Sequence, residues 1–323
     1  MKKLSLTLII VLVATLLSLL GAFLWYRSAL SPVSAKPEAR RLVINKGASA
    51  QQIANKLESE RLIKSNFAFK LYLQQKGLTK NIPTGEFQVP QNLSTPEVVT
   101  LLLKGPTEIW VTIPEGLRRE EIALKLAQTF AQVPAEVSTW EQEFLSLTRG
   151  REGFLFPDTY LFPKDATPAR VYETLTTTLD SKFTQTSTNL SLNQVVTLAS
   201  LIERETLTAQ ERPIVAGILM NRLNSDWPLQ VDATVQYALG KPGSWWPQDL
   251  TRDAIENNAS PYNTYANIGL PPGPIANPGL TSLEAADNPT LSEYYFYIHD
   301  SSGQIHYART LDEHNQNVQK YLR

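Results

Sequence analysis

The sequence predicts an α+β protein with an N-terminal transmembrane helix, a small first domain and a mixed α/β domain after it. Three observations lead to this fold class. An uncharged apolar segment opens the chain, a strand–turn–helix pattern occurs twice, and a strongly amphipathic helix pattern begins near residue 191. With 323 residues, of which 42% are hydrophobic and 19% charged, the chain is long enough for two modest domains with apolar cores.

Composition excludes several classes of protein. The chain contains no cysteine, which excludes disulfides, thiolate nucleophiles and cysteine-ligated metals. Its formal net charge of −1 provides no electrostatic footprint for nucleic acid. The three histidines, His299, His306 and His314, match no metal-binding spacing and are expected at the surface. We therefore predict no metal, no cofactor and no nucleic-acid partner.

The first predicted element is a membrane anchor at residues 1–26. Lys2 and Lys3 precede an uncharged stretch from Leu4 to Tyr26, and about 20 apolar residues in a helix span a bilayer. A cleaved signal peptide is the alternative, but its apolar region is usually only about 7–15 residues long. The two lysines favour an N-terminus inside the cell and a body outside the cytoplasm. Residues 27–40, rich in Ser, Ala and Pro, are predicted to form a linker.

The next predicted domain covers residues 41–105. Its patterns predict, in order, a strand at 41–44, helices at 49–60 and around 67–73, a strand at 85–89 and a helix from 94 that stops at 105. Ser49 followed by Gln52 is typical of a capping box at the start of the first of these helices.

An internal repeat crosses the end of this domain. Gly47 and Gly116, 69 residues apart, are each followed at the same spacing by Ile-Ala-x-Lys-Leu, and both copies predict a strand, a glycine turn and a helix. The unit resembles part of a LysM module, a small fold that binds N-acetylglucosamine polymers. The alternative is a common scaffold that binds nothing, and two copies are too few for a solenoid.

The most specific helix prediction covers residues 191–206. Ser191 and Gln194 form a second capping box, and an apolar stripe runs along the helix. Glu205 continues that stripe, whereas Glu203 lies two residues earlier and points roughly 200° away around the helix axis. Two such carboxylates do not share one site on a regular helix.

Glu205 is the candidate for acid chemistry. Its place beside apolar side chains predicts desolvation, which raises the pKa of a carboxyl group and keeps it protonated near neutral pH. A general acid needs that protonation state. The alternative is a structural role in which Glu205 pairs with Arg204 or Arg212.

Five motifs follow one another through this second half of the chain. They are Leu198–Thr206, Asn221–Leu223, Leu229–Asp232, Tyr262–Tyr265 and Gly269–Ile275. In this order and with these gaps, the motifs resemble those of the endolytic murein transglycosylases of the YceG-like family, and the resemblance covers essentially the whole chain. One departure is Ala233, where the family often has proline; this removes some rigidity from the loop but keeps Asp232.

The resemblance implies a lyase with Glu205 as its catalytic residue. Glu205 would protonate the glycosidic oxygen between N-acetylmuramic acid (MurNAc) and N-acetylglucosamine (GlcNAc) within a peptidoglycan strand. The C6 hydroxyl of the same muramic sugar would then attack C1 and leave a 1,6-anhydro end, so that no second enzymic carboxylate is needed. The resemblance also implies a plasma (inner) membrane location near the cell-wall synthesis machinery.

The remaining motif residues are assigned to the catalytic domain, predicted at 106–323. The predicted substrate-binding residues are Gln230, Asp232, Tyr262, Asn263, Thr264 and Tyr265. The predicted supporting residues are Asn221 and Arg222, which would brace the Glu205 helix by contacting backbone. For Gln230, Tyr262, Asn263, Thr264 and Tyr265 the alternative is a hydrogen-bonded loop that only supports the domain. Trp227, Trp245 and Trp246 are candidates to extend the cleft. Two other functions stay open: a hydrolytic muramidase in which Asp232 positions a water, and a non-catalytic glycan-binding membrane scaffold.

Overall fold

The computed structural model describes residues 2–45, 47–79, 82–131 and 133–322, with the side chains of residues 2–7 outside this description. Helices and short strands are mixed along the chain, as the predicted α+β class requires. The chain forms two compact units. The first unit contains residues 1–110 with 161–164, and the second contains residues 111–160 with 165–323.

The first unit begins with α1 (Lys2–Ala29). Within the described residues, one helix is long and apolar enough to cross a membrane by length and composition, at Leu8–Ala29 of α1. Its apolar side chains are exposed. An apolar surface of this kind suits contact with lipid. The backbone N–H and C=O groups of a helix hydrogen-bond to one another, so they need no water inside a bilayer.

Each element predicted between residues 41 and 105 is present. These elements are β1 (Ala39–Ile44), α2 (Ala50–Ser59), α3 (Asn66–Lys76), β2 (Gly85–Pro90) and α4 (Thr95–Leu103). Ser49 and Gln52 form the predicted capping box of α2. β1 pairs antiparallel with β2, which places Leu42 opposite Phe87, and both side chains are buried in the core of this unit.

Two further strands carry the chain from one unit to the other. β3 (Glu108–Thr112) and β4 (Thr159–Pro163) complete a four-stranded sheet in the order β1-β2-β3-β4. After β3, Gly116 has a φ of 76°, as Gly47 after β1 has a φ of 81°. The left-handed backbone favours glycine in both turns. Both copies of the repeat therefore have the predicted strand, turn and helix, whereas the LysM-like assignment stays a prediction.

The second unit is mainly helical. Its elements are α5 (Arg119–Phe130), α6 (Val137–Leu147), α7 (Pro168–Lys182), α8 (Leu192–Glu205), α9 (Arg212–Asn224), α10 (Asp232–Leu239), α11 (Arg252–Glu256), α12 (Leu280–Asp287), the antiparallel hairpin of β5 (Phe296–His299) and β6 (Ile305–Ala308), and α13 (Leu311–Tyr321). The core of the unit surrounds α8, whose residues from Val195 to Ile202 are buried.

The ends of α8 follow from local sequence. The Ser191 side chain accepts the Gln194 backbone N–H while the Gln194 side chain accepts the Ser191 N–H, as predicted. Thr206 has an extended backbone, and its hydroxyl donates to the Ile202 carbonyl oxygen at 2.7 Å. The helix therefore ends at Glu205, which places that carboxyl at the edge of the core.

A close backbone approach fixes the segment that leads to β5. A Cβ atom on Gly217 of α9 would lie 2.0 Å from the Thr290 carbonyl oxygen. One turn later, the Asn221 side-chain amide donates to the carbonyl oxygens of Ser292 and Tyr294 at 2.8 and 2.9 Å. This glycine and this asparagine together set the path of the chain into the hairpin.

We expect Gly217→Ala to lower the free energy of unfolding by about 1–3 kcal/mol, because the added methyl group must displace backbone. The measurement is the shift of the urea midpoint of the detergent-solubilised chain. Asn224→Ala, at an exposed position on the same helix, is the control and should change stability by less than about 0.5 kcal/mol. Equal shifts for the two variants would contradict this account.

Candidate active site

A pocket of about 360 Å³ opens at the C-terminal end of α8. Five of the predicted site residues line it: Glu205, Arg222, Gln230, Asp232 and Tyr265. The pocket is completed by residues that the sequence analysis did not select, namely Phe296, Tyr297, Ile298, Leu311 and His314. The lining residues thus come from four helices (α8, α9, α10 and α13), from strand β5 of the hairpin and from the loops that hold Gln230 and Tyr265.

The two glutamates of α8 have different partners, as the helix geometry predicts. Glu203 accepts hydrogen bonds from Arg212 at 2.9 Å, from the Gly279 backbone N–H at 3.0 Å and from the Ser282 hydroxyl at 2.8 Å. The Arg204 guanidinium lies 3.9 Å from the centre of the Trp246 ring. Arg212 and Arg204 are engaged elsewhere, and no ion pair joins either of them to Glu205 in the described part of the chain.

The environment of Glu205 favours its protonated form. Burial is the largest influence and raises the pKa of Glu205, and the nearby Asp232 carboxylate raises it further. A hydrogen bond from the Tyr297 hydroxyl to Oε2, at 2.7 Å, acts in the opposite direction, as do His299 and Arg222. The net effect is a raised pKa, so that more of this carboxyl is protonated near neutral pH than in an exposed glutamate.

A second tyrosine–carboxylate pair lies in the same pocket. Asp232 is the first residue of α10, and its Oδ1 accepts the Tyr265 hydroxyl at 2.6 Å. Gln230, just before it, has a left-handed φ of 53° and an exposed side chain, while its backbone N–H donates to the Thr264 carbonyl oxygen. The Asp232 carboxylate and the Gln230 amide are polar groups that can bind sugar hydroxyl and acetamido groups.

Arg222 fixes two walls of the pocket. Its Nε donates to the Tyr295 carbonyl oxygen at 2.8 Å, and its Nη1 donates to the Leu229 carbonyl oxygen at 2.6 Å. Asn221, its neighbour, holds the segment before β5. The two predicted supporting residues therefore contact the backbone on either side of the pocket, and in this structure their hydrogen bonds do not go to α8.

Three predicted substrate-binding residues do not line the pocket. The buried Asn263 side chain donates to the carbonyl oxygens of Ile255 and Asn258, and the buried Thr264 hydroxyl accepts the Val231 backbone N–H at 3.0 Å. The Tyr262 ring packs 4.9 Å from that of Tyr237. These contacts support the loop, which is the alternative considered for them, and their role in binding stays a prediction.

The tryptophans lie at other places. The Arg118 guanidinium stacks over Trp245 and Trp246, with ring distances of 4.8 and 5.7 Å, and Trp227 packs on Tyr295. None of these indoles lines the pocket around Glu205.

Tyr297 and His314 are the functional candidates that sequence reasoning missed. Tyr297 lies on β5, and His314 on α13 stacks against Phe296 at 5.3 Å. Burial lowers the pKa of His314, which keeps the ring neutral near neutral pH. All three histidines are half-buried and none is fully exposed, and His314 lines the pocket because α13 packs on the hairpin. In the sequence, the only local signal for Tyr297 was the run of aromatic residues that leads into β5.

The described residues contain no group of three or more His, Asp or Glu side chains that could hold a metal ion. What the pocket offers is one carboxyl with a raised pKa, fixed by a tyrosine and surrounded by polar and aromatic groups. Sites of this kind are typical of enzymes that cleave glycosidic bonds by acid chemistry.

The chain belongs to the YceG-like family, whose model matches residues 42–320. It is 32% identical to the endolytic murein transglycosylase of Bacillus subtilis (strain 168), over 94% of this chain and 90% of the relative. It is 30% identical to the endolytic murein transglycosylase of Streptococcus pneumoniae, where it covers 94% of its own length and 62% of the longer relative. These findings confirm the family predicted from the motifs.

One solved structure supports the fold. The crystal structure of a YceG-like protein from Listeria monocytogenes matches 87% of this chain and 99% of its own, with a TM-score of 0.54 and 28% identity.

Proposed function

We propose that this chain is a membrane-anchored endolytic murein transglycosylase in which Glu205 is the general acid. Family membership over most of the chain supports the activity, which is the one its relatives are named for. One observation supports the role of Glu205. Its carboxyl is partly buried at the end of α8, accepts a hydrogen bond from Tyr297 and has a raised pKa.

The reaction needs one protein carboxyl. Protonated Glu205 gives its proton to the oxygen that joins C1 of MurNAc to GlcNAc, and the C1–O bond breaks. The C6 hydroxyl of the same muramic sugar forms a new bond to C1 and loses its proton to the Glu205 carboxylate. The products are a 1,6-anhydro end and a free GlcNAc hydroxyl, and the acid is regenerated. Proximity within one ring replaces a protein nucleophile.

The other pocket residues are assigned to substrate binding. Gln230 and Asp232 bind sugar hydroxyl or acetamido groups. Asp232 also favours one other candidate reaction. Ordinary glycosidases use two carboxyl groups, and a water activated by Asp232 would give hydrolysis instead of an anhydro product.

The decisive experiment is mass spectrometry of peptidoglycan digested by the purified full chain, beside Glu205→Gln. Anhydromuramyl ends, lighter by one water than reducing ends and absent with the variant, are expected. Reducing ends would replace the transglycosylase with a muramidase. No cleavage by the folded wild-type chain, with glycan still bound, would indicate a scaffold.

The apolar helix α1 supports a placement of the protein in a membrane. We assign α1 as a single-pass anchor in the plasma (inner) membrane, with Lys2 and Lys3 inside and the body, including the catalytic domain at 106–323, outside the cytoplasm. Protease added to spheroplasts should then degrade the body. Full protection of the body would reverse the assigned orientation.

The segment at 41–105 is assigned as a LysM-like glycan-binding domain. A groove of about 240 Å³ lies between β1 and α2, beside the Gly47 turn, and Ile53 and Lys56 are among its lining residues. Ala48 also lines this groove, so Ala48→Trp should fill it and weaken binding of chitin oligosaccharides. Unchanged binding would remove the groove from the assignment.

A further inference from the structure

Two tyrosine hydroxyls fix the two carboxylates of the pocket, one on each. Tyr265 donates to Asp232 Oδ1, and Tyr297 donates to Glu205 Oε2. We propose that Tyr297 is a positioning residue that occupies Oε2 of Glu205, so that Oε1 is the oxygen that carries the acid proton to the substrate. This inference deepens the proposed function and rests on it.

The assignment of the proton follows from the hydrogen bond. A protonated carboxyl has one oxygen that bears hydrogen and one carbonyl oxygen, and the carbonyl oxygen accepts a donated hydrogen bond more readily. The Tyr297 hydroxyl has a single hydrogen, which it gives to Oε2 at 2.7 Å. The acidic hydrogen of Glu205 therefore belongs on Oε1. Tyr297 keeps its own hydrogen, because burial and the neighbouring Glu205 hold the pKa of Tyr297 well above its usual value.

The backbone keeps Tyr297 in place. It lies opposite Tyr307 in the β5–β6 register, and the Tyr295 carbonyl oxygen, two residues earlier, accepts Nε of Arg222 at 2.8 Å. The Tyr297 hydroxyl is therefore carried by a paired strand, and Tyr295, the residue just before that strand, is hydrogen-bonded to α9. Such a rigid donor suits the positioning of an acid, since misplacement by about 1 Å can cost about a hundredfold in rate.

The other charged or titratable groups near Glu205 have their own partners. Asp232 on α10 is bonded to Tyr265, His299 on β5 contacts Glu211 at 3.2 Å, and Arg222 on α9 is bonded to backbone. His314 on α13 is held neutral by burial. Within the described part of the chain, the Tyr297 hydroxyl is the side-chain group that hydrogen-bonds to the Glu205 carboxyl.

This arrangement predicts opposite effects for two substitutions. A donated hydrogen bond favours the ionised carboxylate, so removing it in Tyr297→Phe raises the pKa of Glu205. A nearby negative charge favours the protonated form, so removing it in Asp232→Asn lowers the pKa of Glu205. The alkaline limb of kcat/KM, where the acid loses its proton, should move to higher pH in the first variant and to lower pH in the second.

The experiment measures anhydromuramyl release by the full chain across pH. Tyr297→Phe should lower kcat about tenfold to a hundredfold and shift the alkaline limb upward. Tyr307→Phe, on the facing strand, is the matched control. It should keep the kcat of the wild-type chain and leave the alkaline limb at the same pH. A lower kcat with an unmoved limb would mean that Tyr297 only supports the fold. A downward shift would mean that Glu205 donates to Tyr297 through Oε2. Either result overturns the proposal.

An infrared titration separates this inference from the proposed function. The carboxylic-acid band of Glu205 is assigned by its loss in Glu205→Gln, and its titration midpoint should rise in Tyr297→Phe. If the wild-type chain released no anhydro ends, the proposed activity would fail. The infrared midpoint would then still decide whether Tyr297 controls the proton of Glu205, and an unmoved midpoint overturns that role.

Discussion

Glu205→Gln is expected to lower the rate of glycan cleavage by about a thousandfold, because the amide can neither give a proton to the leaving oxygen nor receive one from the C6 hydroxyl. The same substitution should leave the fold at least as stable as before. Burial raises the pKa of Glu205, so its stabilising contribution is present at low pH and is lost as the pH rises through the folded-state pKa. Glutamine has no such charge.

The measurement pairs single-turnover digestion with urea unfolding at several pH values. The stability of the variant relative to the wild-type chain should increase toward alkaline pH. Activity above about a tenth of the original rate would contradict the role of Glu205 as the acid. A variant that loses activity together with a large part of its stability would leave a structural explanation in place of a catalytic one.

Glu203→Ala, unlike Glu205→Gln, is expected to act mainly on stability. We expect a loss of about 3–5 kcal/mol in the free energy of unfolding. Only 7% of the Glu203 side chain is exposed, and it is bonded to Arg212, to the Gly279 backbone and to Ser282 of α12. Removing it leaves the Arg212 guanidinium, of which only 11% is exposed, without its nearest carboxylate at the junction of α8, α9 and α12.

The control for Glu203→Ala is Glu205→Gln, because Glu205 lies only two residues away on the same helix. Urea midpoints of the two variants should differ widely, with only Glu203→Ala strongly lowered. Similar midpoints would contradict the division of α8 into a structural glutamate and a catalytic one. Glu203→Gln, which keeps the shape but not the charge, should fall between the two.

Local sequence was sufficient for α8. The Ser191 cap, its Gln194 partner and the apolar stripe are all within one segment, and the observed helix differs from the prediction by one residue at each end. The opposite directions of Glu203 and Glu205 follow from helical geometry alone. The elements of the first unit were predictable for the same reason, because caps, glycine turns and alternation are properties of short segments.

The rest of the pocket depends on distant contacts. Tyr297 is 92 positions from Glu205, and their hydrogen bond exists only because the β5–β6 hairpin packs beside the end of α8. Nothing in the local pattern of β5 or α13 indicates which site they face. Asn263 and Thr264 illustrate a different limit: a polar residue in a motif can support a loop as well as bind a ligand, and the sequence pattern is the same in both cases.

The position of the hairpin also sets the order in which the site can form. A chain that emerges from a ribosome or a translocation channel in sequence order exposes α8 about a hundred residues before β5 and α13. Until those elements arrive, the acid lacks its tyrosine partner and the pocket lacks a wall. A polypeptide that ends before β5 would therefore lack both the Tyr297 hydrogen bond to Glu205 and the side of the pocket that β5 and α13 form.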